Sequence, residues 1–139
     1  MTTARFLDTN ILVYAYDLDA PGKRAVALRL VEQGWRDLGE TAISVQVLQE
    51  LYVNLTRRSV SFAEAGQIVR DFAAWPIVQN TLSLLLVALD EQARWQLSLW
   101  DALILAAARA SGASELLTED LSHGQDFDGV RVTNPFLPS

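Results

Sequence analysis

The 139-residue sequence has no cysteine and a single histidine. Without cysteine there are no disulfides and no thiolate metal sites, a composition compatible with a reducing cytoplasm. Any Ser-His-Asp triad would have to use His123, but no Gly-x-Ser-x-Gly elbow is present. His123 lies in a polar loop beside Gly124 and reads as a surface residue. No glycine-rich strand-to-helix turn occurs, so a phosphate-binding loop is unsupported. Long hydrophobic runs are also missing. The stretches around Leu84 to Leu89 and Ala102 to Ala108 are too short to span a bilayer. The opening Met1-Thr2-Thr3-Ala4-Arg5 has no basic region followed by an apolar run, so no signal peptide is expected. Basic residues are in deficit: 11 Lys and Arg stand against 17 Asp and Glu, giving a net charge of −6. That balance argues against a non-specific nucleic-acid binder. It leaves room for an enzyme whose metal ions offset local negative charge at a phosphate, and it suits a basic protein partner.

What is present is enough apolar material for a core. Half the residues are hydrophobic and 20% are charged, which fits one folded domain over residues 1–139. Residues 4–7 read as a short buried strand, and Ile11 to Tyr16 as a helical turn or short helix. Asp17 to Gly22 reads as a loop, with Pro21 and Gly22 as breakers. A helix is expected over Lys23 to Gly34, a strand over Thr41 to Ser44, and a helix over Val45 to Arg58 with Leu48, Leu51, Tyr52 and Leu55 on one stripe. Ser61 and Glu64 match a capping box, opening a helix that runs to about Trp75, where Pro76 stops it. A strand at Ile77 to Gln79 follows, then helices over Leu84 to Gln96 and from Ser98 through Arg109, the second with Gly112 as its C-terminal cap. Strands at Glu115 to Thr118 and Gly129 to Thr133 complete the chain. The alternation predicts an α/β fold, a mostly parallel sheet with helices on both faces.

Four acidic residues stand where such a fold would gather them at one sheet edge: Asp8, Glu50, Asp101 and Asp120. Each also has an ordinary explanation. Asp8 follows the first strand and could be an N-cap. Glu50 shares a helical stripe with Gln46, Asn54 and Arg57 and could belong to a solvated face. Asp101 follows Ser98 at capping-box spacing and suits a helix N-terminus. Asp120 follows the fourth strand, and Glu119 beside it competes for the same role. Asp126 and Asp128 read as loop acids. Ligands in open α/β sheets bind beyond the carboxyl ends of the strands, where Asp8 sits. The helix after Asp101 is apolar nearly all round, so an ionised group at its start needs a partner. Clustered carboxylates repel, and a fold that gathers them does so to hold a hard cation such as Mg²⁺ or Mn²⁺. Asn10 could hydrogen-bond to Asp8, and Thr118 could support a carboxylate with its hydroxyl.

In its ordered segments Phe6-Leu7-Asp8-Thr9-Asn10-Ile11-Leu12, Ser44 to Leu51, Ser98-Leu99-Trp100-Asp101-Ala102 and Leu116-Leu117-Thr118-Glu119-Asp120-Leu121, with a closing Asn134-Pro135-Phe136, the sequence resembles PIN domains, and among them the VapC-type ribonuclease toxins of toxin–antitoxin modules. The resemblance covers nearly the whole length. It implies a Rossmann-like α/β/α sandwich, metal-dependent hydrolysis of RNA, a homodimer, and an antitoxin that plugs the acidic site with a basic segment. It places the acidic ligands on Asp8, Glu50, Asp101 and Asp120, with Asn10, Ser44 and Thr118 in support. Lys23, Arg24, Arg57 and Arg58 are candidates for contacts to the RNA backbone or for plain solubilising charge. Two rival expectations remain: a PIN-like module that binds RNA or protein without cutting, and a PIN nuclease of RNA maturation. A neighbouring reading frame for a DNA-binding antitoxin separates the toxin from the second.

Overall fold

The computed structural model describes residues 3–138; Met1, Thr2 and Ser139, which the reading of 1–139 as one domain includes, lie outside the described residues, as does the start of the segment on which a signal peptide was judged absent. The elements run β1 (Arg5–Leu7), α1 (Thr9–Tyr14), α2 (Pro21–Arg36), β2 (Thr41–Ser44), α3 (Val45–Arg57), α4 (Phe62–Phe72), β3 (Ile77–Val78), α5 (Leu82–Trp95), α6 (Leu99–Ala110), β4 (Glu115–Leu117) and β5 (Arg131–Thr133). Neighbouring strands are parallel throughout, in the order β3-β2-β1-β4-β5. β2 is buried along its whole length, as a strand covered by helices on both faces must be.

The strand order fixes where the helices go. From β1 the chain steps outward through β2 to β3, then returns to the far side of β1 for β4 and β5. Crossovers between parallel strands are right-handed, so reversing the direction of travel moves the connecting helices to the opposite face. The packing agrees: α1 contacts α2 and α3, and α3 contacts α4, whereas α5 packs on α6 and α6 lies against β2 and β4. Reversal of strand order between β1 and β4 opens a crevice beyond their carboxyl ends. Asp8 and the Thr118–Asp120 loop both emerge there.

Local chemistry sets most boundaries. Ser44, Ser61, Thr81 and Ser98 each accept a hydrogen bond from the backbone N–H three residues on, capping α3, α4, α5 and α6. Gly112, just past α6, has φ +81°, a left-handed position that favours glycine. Several boundaries differ by a few residues from the sequence expectation, and three of the differences have a clear local cause. Pro21 and Gly22 belong to α2, because proline at the first helical position loses an N–H that would be unpaired anyway. α5 begins two residues before Leu84, since Thr81 supplies its cap. α4 stops at Phe72, ahead of Trp75; Trp75 turns inward to meet Phe72 and Trp35 edge-on.

α6 carries Asp101 and is packed in place from behind. Ile104 to Ala108 are all buried. Arg109, near its end, donates to the Glu91 carboxylate of α5 at 2.8 and 3.3 Å and to the carbonyls of Phe127 and Asp128 at 2.8 and 3.1 Å. Glu91 is buried and also accepts from Trp95 Nε1 at 2.8 Å. Arg109→Met strands that carboxylate, and removal of one partner of a largely buried pair costs about 3 kcal/mol. Urea denaturation should show that loss, with Glu91→Met/Arg109→Met recovering most of it.

Candidate active site

Asp8 sits at the end of β1 and is 6% exposed. It is at once an N-cap and the centre of a polar cluster. Its Oδ1 accepts from the Thr9 N–H at 2.7 Å, closing the start of α1, and its Oδ2 accepts from Thr118 Oγ1 at 2.8 Å across from β4. Asn10, one residue into α1, reaches over the crevice. Its Nδ2 donates to Asp120 Oδ2 at 3.0 Å, to Thr118 Oγ1 at 3.3 Å, and at a long 3.5 Å to Asp8 Oδ2. Thr118 Oγ1 also accepts from the Asp120 N–H at 3.0 Å. Thr118 and Asn10 therefore tie Asp8 to Asp120.

The alternative fourth acid is turned elsewhere. Glu119 accepts from Tyr14 Oη at 2.7 Å and from Lys23 Nζ at 2.9 Å, so the carboxylate bonded to Asn10 is that of Asp120. Glu50 reaches the crevice from α3. Its Oε1 accepts from Thr9 Oγ1 at 3.2 Å and from Gln46 Nε2 at 3.1 Å. Asp101 stands in the first turn of α6, where Ser98 caps its N–H at 3.1 Å. It makes no side-chain bond to the other three acids, but it feels the charge of Asp120. Ser44 is a buried N-cap of α3 and bonds to none of the four acids in the described network; its part is to start the helix that carries Glu50. Sequence reasoning missed Thr9 as a donor to Glu50 and Tyr14 as a partner of Glu119. Tyr14 follows Asn10 by one helical turn, which was the available signal.

The electrostatics are unrelieved. Among the described residues none of Asp8, Glu50, Asp101 or Asp120 forms an ion pair with Lys, Arg or His. Burial pushes the Asp8 carboxyl from the usual 3.8 up to about 7, against the hydrogen bonds of Thr118 and Thr9, which lower it; Asp120 and Glu50 add repulsion. Burial and the charge of Asp120 raise Asp101 as well. Beside these acids lies an open cleft of about 320 Å³ between α1, α3 and the loop after β4, bordered by Thr9, Asn10, Glu50 and Asp120. A larger cavity of about 860 Å³ near Arg5, Glu115 and Arg131 contains none of the four.

The donor set is all oxygen and uncompensated, which fits a hard divalent cation. Among the described residues no three metal-ligating side chains are drawn together closely enough to hold an ion as they stand. Mutual repulsion spreads carboxylates that lack a counter-charge. Glu50 and Asp120 are exposed, each held by hydrogen bonds from neighbouring side chains.

Residues 5–125 match the model of the PIN domain. The chain belongs to the PIN-domain family. This PIN domain is 32% identical to Ribonuclease VapC24 of Mycobacterium tuberculosis over 141 residues, covering 93% of the chain and 94% of the relative. Among solved structures it resembles a toxin–antitoxin complex from Klebsiella pneumoniae, at 25% identity and a TM-score of 0.66, covering 96% of this chain and 98% of that one. M. tuberculosis VapC20, described as a sarcin-ricin loop cleaving toxin, shares the fold at 24% identity and a TM-score of 0.65, covering 81% of this chain and 87% of that one. The α/β/α sandwich implied by the sequence is the fold of these neighbours.

Because the folded-state value of Asp8 is raised, its contribution to stability is full below about pH 4 and is lost as pH rises through about 7. Asp8→Asn cannot ionise. Without divalent metal it should exceed the wild type in stability by about 2 kcal/mol at pH 8, the gap closing toward pH 4. Urea denaturation across that range measures it.

Proposed function

We propose that this PIN domain is a metal-dependent endoribonuclease and the toxin of a toxin–antitoxin pair, working in the cytoplasm. The observation that carries the reading is a buried Asp8, without a basic partner among the described residues, bridged by Thr118 and Asn10 to Asp120 at the crevice between β1 and β4. Similarity to Ribonuclease VapC24 over almost the whole chain supports the substrate class, and the likeness to the Klebsiella pneumoniae toxin–antitoxin complex supports the antitoxin partner.

In this reading Asp8 and Asp101 hold a Mg²⁺ or Mn²⁺ ion, and Glu50 and Asp120 complete the site directly or through ordered water. When bound, the ion supplies positive charge against the phosphodiester and makes water acidic enough to hydrolyse it. The chain's own residues keep the acids in place. Thr118 and the Thr9 N–H fix both oxygens of Asp8, so its carboxylate cannot rotate away. Asn10 fixes Asp120, and Gln46 with Thr9 steadies Glu50. Burial raises the Asp8 carboxyl, so a proton competes with the ion for it, and Mg²⁺ affinity should weaken as pH falls. Cleavage on this path leaves a 5′-phosphate and a 3′-hydroxyl.

The −6 net charge and the unpaired carboxylates favour an antitoxin whose basic segment enters the same cleft. Exposed Leu82, Leu86 and Leu89 along α5 support association of two copies. Asp101→Asn keeps the Ser98 cap and should lower Mg²⁺-dependent cleavage of total cellular RNA by at least about a hundredfold, the upper end of what loss of an outer-shell partner costs. Wild-type cleavage by folded Asp101→Asn, or cleavage unaffected by chelation of the metal, defeats the assignment.

A further inference from the structure

Glu119 is a fifth acid beside the site, and the chain takes care to hold it away. Tyr14 Oη donates to its Oε1 at 2.7 Å, and Lys23 Nζ donates to its Oε2 at 2.9 Å. Lys23 Nζ also donates to Tyr14 Oη at 3.2 Å, so the three groups close a ring of hydrogen bonds. The ammonium lies 4.7 Å from the Tyr14 ring centroid and 5.5 Å from that of Phe136, and the two rings meet edge to face at 5.0 Å. Both oxygens of Glu119 are thus occupied, although Glu119 lines the same cleft as Asp120.

Glu119 and Asp120 hang from one anchor. The Glu119 N–H points to Asn10 Oδ1 at 3.4 Å, and the Asp120 N–H to Thr118 Oγ1 at 3.0 Å. Asn10 and Thr118 are also the groups that contact Asp8. Without the bonds from Tyr14 and Lys23, the Glu119 side chain would be free to compete for the same site. Glutamate has one more methylene than aspartate and would reach further in. A fifth carboxylate would add repulsion to Asp8 and occupy positions that a small octahedral ion needs for water and substrate phosphate.

We propose that Lys23 and Tyr14 are positioning residues that hold Glu119 out of the carboxylate cluster, so that this loop presents Asp120 alone to the metal. The inference rests on the metal-site reading above. A plain structural salt bridge between α2 and the β4 loop predicts a different behaviour, and a mutant cycle separates the two. The electrostatic effects of Lys23 and Glu119 on a bound cation are separately additive; their mutual attraction is the same with and without metal. A ligand role that Glu119 gains only when Lys23 is gone is not additive.

The experiment is titration of the full chain with Mn²⁺, following free ion by electron paramagnetic resonance, for wild type, Glu119→Gln, Lys23→Met and Lys23→Met/Glu119→Gln. Each is checked for folding by circular dichroism. Glu119→Gln should change Mn²⁺ affinity by less than about twofold in the wild-type background and lower it about fivefold or more in the Lys23→Met background. Lys23→Arg, which keeps the ion pair, should behave as wild type. If Glu119→Gln has the same effect in both backgrounds, Lys23 does not hold Glu119 out and the proposal falls. Asp101→Asn distinguishes the deeper failure: equal Mn²⁺ binding by it and wild type overturns the metal-site reading and this inference together, whereas a normal Asp101 dependence with an additive cycle overturns this inference alone.

Discussion

The burial of one carboxylate organises this molecule. Asp8 has to sit at the end of β1 because β1 is the central strand and the order of strands reverses beside it. That position is surrounded by helices α1 and α3 and by β4, so the carboxylate is almost out of contact with water. An ionised group there is costly unless charge or hydrogen bonds compensate. Hydrogen bonds from Thr9 and Thr118 compensate in part, and among the described residues no basic side chain does. The same bonds that moderate the cost fix the carboxylate's direction. Capping a helix and preparing a ligand are therefore one arrangement, and choosing between them, as a reading of the sequence invites, is unnecessary.

The same economy runs through the other acids. Glu50 looks like part of a solvated helix face in the sequence, and its side chain is indeed exposed; what the linear pattern hides is that Thr9 and Gln46 both donate to one of its oxygens. Asp101 fits the Ser98 capping pattern and simultaneously lies within the field of Asp120. Local chemistry is legible because caps, breakers and helical stripes depend on neighbours in sequence. Ser98 with Asp101 and Ser61 with Glu64 are of that kind. So is the parallel α/β architecture, which follows from the alternation of elements. The choice between Glu119 and Asp120 is not of that kind. It turns on Tyr14 and Lys23, the latter 96 residues away from Glu119, and only folding brings them to the β4 loop. Pro21 misled for a different reason: proline breaks a helix interior and starts a helix equally well, and only the preceding geometry says which.

On the proposed reading an acidic domain must act on RNA, which poses a problem of charge, and the cleft offers a way to contain it. Two of the basic residues near the acids are engaged, Lys23 with Glu119 and Arg58 with Asp17 at 3.1 Å, whereas Arg57 beside Glu50 forms no ion pair among the described residues. In both pairs the cation is part-exposed and the carboxylate largely covered. The walls of the cleft thus carry little net charge, while the four uncompensated carboxylates keep a concentrated negative field at its end. Such a field attracts a divalent ion or a basic peptide far more strongly than it attracts RNA. Metal comes first in this scheme, and a polyanion binds to what the metal has neutralised.

On that ordering, the uncompensated burial of Asp8 would have a use. Filling the gap with an arginine from the chain itself would lower the Asp8 carboxyl and stabilise the fold, but it would also close the site to any ion. Repulsion between Asp8, Asp120 and Glu50 instead stores a preference for an external cation. A divalent ion and the basic segment of a protein inhibitor answer the same preference, so they compete for one set of oxygens. On the proposed reading, inhibition would need no conformational change in this domain: a partner that delivers a single guanidinium or ammonium to Asp8 would satisfy the field that would otherwise recruit the metal. The constraint that makes the empty fold less stable is also what makes it possible to switch off.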